Sequence, residues 1–176
     1  MRLDDICDPG GDVPSPDYLS IDVEGAELDV LQGASRLLGD SVVWLRSEMW
    51  IHPVYQGAAT FEQSLAYLKA NAFELFHMEP YGEYEAEKMT FGMHGRGQTL
   101  GVEVDFQRSV RDVVKHGGAD GQATILKLYK LAFMAFMKGG TGLGLHALKQ
   151  ADALGGTFFT DAEGAAPARY LAVLAE

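Results

Sequence analysis

Residues 17–34, DYLSIDVEGAELDVLQGA, constrain this chain more than any other stretch. A short apolar run of Tyr18, Leu19, Ser20 and Ile21 has the length of one buried strand. Asp22, Glu24 and Glu27 follow around Gly25. Leu28, Leu31, Ala34 and Leu38 then recur at helical spacing, with Val30 and Leu37 beside them. Strand, acidic turn and amphipathic helix in direct succession make half of a βαβ unit. Ligands of open α/β sheets bind beyond the carboxyl ends of the strands, which is where this turn falls.

The rest of the chain extends the pattern. Ahead of the turn, Leu3-Asp4-Asp5-Ile6 gives way to Pro-, Gly- and Asp-rich loop chemistry. The helix after the turn is expected to stop at Gly39, in the left-handed conformation that glycine supplies. Residues 41–48 read as a second strand ending in Glu48, and 49–53 as a loop. Thr60 with Gln63 three residues on forms a capping box for a helix that buries Phe61, Leu65 and Leu68 and ends at Asn71. Residues 73–78 read as a third strand and 81–97 as a long irregular connection. Residues 99–106 alternate strictly between apolar and polar, as a half-buried strand does. No helix separates the third and fourth strands, so an antiparallel pairing is predicted.

Beyond Arg108 the composition turns helical, with segments expected at 110–116, 122–138, 143–154 and 167–174. The domain reading is therefore 1–108 for the sheet and 109–176 for a small helical appendix. The run Gly140-Thr141-Gly142-Leu143-Gly144 has two readings. It is a linker between helices, or a displaced cofactor loop that would require 131–137 to be a strand. Those seven residues contain no β-branched side chain, which favours the linker.

A formal charge of −11 and a thin basic group, Arg108, Arg111 and Lys115, argue against nucleic-acid binding. The most apolar segment, 125–137, carries Lys127 and Lys130 and is shorter than the roughly 20 residues a bilayer requires. With one cysteine, Cys7, and no signal-like amino terminus, the expected setting is cytoplasmic, away from membranes.

The Asp-x-Glu-Gly-Ala-Glu pattern after an apolar strand, with Leu3-Asp4-Asp5-Ile6 ahead of it, resembles the FkbM family of S-adenosylmethionine-dependent methyltransferases. The resemblance runs from about Leu3 to about Arg108. It implies an α/β fold, the C-terminal half of a Rossmann-like class I methyltransferase sheet. It also implies S-adenosylmethionine as cofactor and a hydroxyl oxygen of a saccharide, polyketide or related metabolite as methyl acceptor. The glycine-rich cofactor turn of such enzymes belongs to a preceding half that these residues do not supply, so an enzyme inactive by itself is one expectation. A sheet edge left open is another, to be covered by a second copy or a partner chain.

Asp22, at the end of the central strand, is the first candidate: it would take a proton from the acceptor or complement the positive cofactor. Glu24 joins it as a cofactor-binding candidate through the family motif. Glu48 and His52, at and beyond the end of the next strand, complete the catalytic set. Glu27 reads as structural, since a carboxylate in a first helical turn is stabilised by about 0.3–1 kcal/mol. No metal is expected. Asp22, Glu24, Glu48 and His52 would form an oxygen-rich set, but a calcium loop's ligand repeat and a zinc site's paired histidines are both missing. Two other functions compete: a non-catalytic interaction or scaffold module that kept the half-sheet, and a metal-dependent hydrolase using the same carboxylates.

Overall fold

A computed structural model of the protein describes residues 2–7, 11–52, 54–84, 97–117 and 121–158. The chain divides into two compact units, Met1–Gln107 and Arg108–Glu176. The expected helix at 167–174 lies outside the described residues.

In the first unit, β1 (Tyr18–Ile21) pairs in parallel with β2 (Trp44–Trp50), with Tyr18 opposite Trp44 and Ile21 opposite Ser47. β2 pairs antiparallel with β4 (Gln98–Arg108). β3 (Phe73–Tyr84) lies outside β4, giving a mixed four-stranded sheet of order β1-β2-β4-β3. Glu74 meets Gln107 while Glu83 meets Gly97, the run of an antiparallel β3–β4 pair. Alternation assigns the faces. Leu45, Ser47 and Met49 stand opposite Phe106, Val104 and Val102 and, with Ile21, form the core face. That face packs on Leu31, Leu37, Leu38 and Leu68 of the helices. Trp44, Arg46, Glu48 and Trp50 occupy the other face, opposite Gln107, Asp105, Glu103 and Gly101.

α1 (Leu3–Ile6) precedes β1, and α2 (Glu27–Gly33), α3 (Ser35–Asp40) and α4 (Phe61–Ala70) run between the strands. The capping box forms as read, Gln63 Oε1 accepting from the Thr60 N–H at 2.9 Å, and α4 gives way at Asn71. Three expectations are corrected. The single helix after the turn is two, broken at Ala34, because Asp4 reaches across from α1 and caps α3. Its carboxylate accepts the Arg36 and Leu37 N–H groups at 2.9 and 3.1 Å, and the Arg36 guanidinium returns bonds to the Asp4 and Cys7 carbonyls. Gly39 lies inside α3, which runs to Asp40, and is not in the left-handed region. Met49 and Trp50 belong to β2 rather than a loop, since pairing to β4 continues to Trp50 and Gly101.

The second unit contains α5 (Val110–His116), α6 (Gly121–Met137) and α7 (Thr141–Ala153). Arg108 and His116 both engage Asp112 along α5. Gly139, at φ +79°, ends α6: its N–H reaches Phe136 O, and that of Gly140 reaches Ala135 O at 2.7 Å. This paired closure satisfies the last carbonyls of α6 and turns the chain into α7. A Cβ on Gly144 would come within 2.8 Å of the Phe136 ring, so the glycine permits close approach of the two helices. Residues 131–137 are helical, which overturns the displaced-loop reading of the glycine run. Among the described residues no helix is long and apolar enough to cross a membrane.

Candidate functional site

The face opposite the helical core carries the site. Ser20 and Asp22 share it with Arg46 and Glu48 of the neighbouring parallel strand, and Glu103 and Asp105 of β4 lie beyond. Asp22 follows directly on the end of β1, whereas Glu48 sits within β2.

Backbone geometry aims the turn. Glu24 adopts φ +55° and Gly25 φ +106°. A left-handed non-glycine residue costs about 1–3 kcal/mol and persists only where its surroundings hold it. Two contacts do so here. Glu27, 3% exposed, accepts the Val23 and Gly25 N–H groups on one carboxylate oxygen, at 3.2 and 3.0 Å. The Tyr55 hydroxyl donates to Glu24 Oε2 at 3.0 Å. Gly25 is required twice over, since a Cβ there would also lie 2.9 Å from that of Ala58. As a result Asp22, Glu24 and Glu48 each bring a carboxylate oxygen within 4.8 Å of the others.

Such crowding has an electrostatic consequence. The Glu48 carboxyl is pushed above its ordinary range, first by burial and then by the neighbouring Asp22 and Glu24 carboxylates. Tyr81 opposes this. Its buried hydroxyl lies close enough to favour the charged form of Glu48, without the geometry of a good hydrogen bond. Burial, followed by Glu48, drives the Tyr81 hydroxyl far up in turn, so it stays protonated. Its ring lies across Gly101, where a Cβ would come within 2.6 Å, and stands edge-on to Trp50 with centroids 5.8 Å apart.

Among the described residues lining the cavity, one cation faces the carboxylates. Arg46 forms an ion pair with Glu103 and reaches Asp105 at 3.3 Å. The Trp44 indole donates to the same Asp105 at 2.9 Å, which explains how a carboxylate 5% exposed is accommodated. Ser20, Asp22, Arg46, Glu48, Tyr81 and Glu103 line a cavity of about 200 Å³.

The sequence-derived set is thus brought together in part. Asp22, Glu24 and Glu48 converge. His52 is exposed in the loop after β2 and does not join that group. Glu27 braces the turn. Sequence reasoning missed Tyr81, which falls in a stretch read as irregular, as well as Arg46 and Glu103. The available signal was Gly101, a glycine inside an otherwise apolar-polar alternation, which marks a close approach by another group.

Chemically, three carboxylates with one driven toward its neutral form can accept a proton, pass it on, or hold a positive group. Their oxygens are also the donors that a hard divalent cation takes. They fit the cationic end of a sulfonium cofactor. The cavity does not fit the rest, because pockets that enclose drug-sized ligands run to about 300–1,000 Å³.

No curated protein and no solved structure matched the chain. Residues 1–75 match the family model described as Methyltransferase FkbM domain. That span holds α1, the acidic turn, Glu48 and His52, and it points to methyl transfer as the general activity.

Proposed function

From residues 1–75, whose match is to the FkbM methyltransferase domain, we propose that the chain contributes to methyl transfer from S-adenosylmethionine to a hydroxyl oxygen of a saccharide, polyketide or related metabolite. One observation carries the reading. The matched span puts Asp22 just past the end of β1 and Glu48 within the adjacent parallel β2, with a strained turn holding Glu24 against them. That is the strand edge where open α/β sheets bind ligands. The element order, strand-helix-strand-helix-strand-strand, further supports the C-terminal half of a class I methyltransferase sheet.

When bound, the cofactor would supply an electrophilic methyl group. Asp22 would take the acceptor's hydroxyl proton as general base. Glu48, its carboxyl raised by burial and by the neighbouring Asp22, would take up a proton more readily than an ordinary carboxylate, and Glu24 would complement positive charge. Tyr81 and the Arg46–Glu103 pair orient these groups. The rest of the cofactor pocket would come from a second chain, a copy or a partner.

The small cavity favours a second reading, a non-catalytic module that retains the half-sheet for interaction. Calorimetric titration of S-adenosylmethionine and its demethylated product into the chain, with the assembly state recorded, separates the two. The methyltransferase reading expects saturable binding that Asp22→Ala abolishes. No binding at millimolar cofactor would sink the claim that this polypeptide acts as an enzyme and leave the interaction module.

A further inference from the structure

The second unit has a cleft of its own, unrelated to the carboxylates. Val110, Arg111, Val114 and Lys115 of α5 face His146 and Gln150 of α7 across a cavity of about 480 Å³. Helical spacing orders the lining. Val110 and Val114 are four residues apart and form an apolar floor, buried and half-buried respectively. Arg111 and Lys115 repeat the interval one position on, and His146 and Gln150 repeat it on α7. Arg111, Lys115 and His146 are exposed at the rim, and among the described residues no carboxylate lines the cleft.

Charge distribution separates this cleft from the rest of the molecule. Residues 1–107 contain six Lys and Arg against nineteen Asp and Glu, whereas residues 108–176 contain eight against six. The nearest acidic residue on α5, Asp112, is already engaged by Arg108 and His116 at 2.7 Å each. Among the described residues no hydrogen bond or ion pair engages the side chains of Arg111, Lys115, His146 or Gln150. The rim therefore presents hydrogen-bond donors and positive charge, and the floor presents aliphatic surface. The volume lies within the range that encloses a small organic ligand.

We propose that the α5–α7 cleft binds a small amphiphilic anion, an aliphatic or aryl chain ending in a carboxylate or phosphate. The head group sits between Arg111 and Lys115 on one side and His146 and Gln150 on the other. Arg111 suits it through the planar fork that matches two anionic oxygens. The tail covers Val110 and Val114.

The test titrates the full chain with octanoate, octyl phosphate, octanol and inorganic phosphate, followed by amide NMR, alongside anionic phospholipid vesicles in a sedimentation assay. Saturable shifts confined to α5 and α7 are expected with both octyl anions, weaker ones with inorganic phosphate and none with octanol. Arg111→Glu combined with Lys115→Glu, both at exposed positions, should weaken octanoate at least about tenfold. Val114→Asp, which sets a carboxylate on the floor, should abolish binding while the amide spectrum elsewhere is retained. Equal binding of octanol and octanoate would overturn the proposal, as would octanoate affinity indifferent to charge reversal. Inorganic phosphate binding as tightly as octanoate would remove the tail from it. Sedimentation with vesicles in the absence of any response to soluble octyl anions would replace it with a membrane-surface contact.

Discussion

Glu27 offers the sharpest separation of a structural from a chemical carboxylate. Its Oε1 holds the Val23 and Gly25 N–H groups at 3.2 and 3.0 Å, and the residue is 3% exposed. A hydrogen bond to a charged group contributes about 1.5–3 kcal/mol, but two donors sharing one oxygen do not add in full. Glu27→Ala strands both donors beside a turn already strained at Glu24, so a loss of about 2–4 kcal/mol is expected. Glu27→Gln keeps a carbonyl oxygen at the same reach and gives up only charge assistance and the helix-dipole contribution, about 1 kcal/mol. Urea unfolding followed by circular dichroism reads both. The alanine variant should unfold at clearly lower urea, the glutamine variant only slightly below the parent. Cofactor titration on the glutamine variant supplies the second readout and should match the parent. A glutamine variant as unstable as the alanine one would refute the acceptor argument. One that folds like the parent but loses cofactor binding would make Glu27 part of the binding site.

Two further perturbations probe the same face. Glu48 has a folded-state pKa above its unfolded value, so the folded form binds the extra proton. Stability on this account is fullest below about pH 4 and declines as pH rises through the raised folded value. Glu48→Gln should therefore be more stable than the parent at pH 7 and converge with it in acid; parallel pH profiles would show that the crowding is screened. Gly101→Ala drives a Cβ into the Tyr81 ring and should cost about 1–3 kcal/mol, a penalty that shrinks in a Tyr81→Ala background. Equal penalties in both backgrounds, measured by thermal melts, would deny the contact.

What the sequence revealed was local, and what it hid was not. Thr60 and Gln63 are three residues apart and make their box within one turn, so the start of α4 was readable. The same holds for α5 and α6, whose propensities agree with their surroundings. The break at Ala34 depends on Asp4, some thirty residues earlier, and leaves no mark in the local spacing. Asp105 looked solvent-facing by alternation, yet it is buried because Trp44 and Arg46 come from a different strand to meet it. The site divides in the same way. Asp22 and Glu24 were legible because motif and turn are contiguous; Glu48 was read as a strand end, yet β2 runs on to Trp50 and its parallel pairing with β1 is what sets Glu48 beside Asp22. His52 was misplaced beside them because a loop's direction depends on what it packs against. Tyr81 needed a gap in the opposite strand that only Gly101 leaves.

Edge strand β1 carries a consequence for the behaviour of the molecule in solution. It has four residues, Asp17 stands before it and Asp22 behind it, and among the described residues β2 is its one neighbour in the sheet. A long flat edge would recruit any passing strand and seed aggregation. Here the available ladder is short and closed at both ends by negative charge, which repels another copy of the same segment.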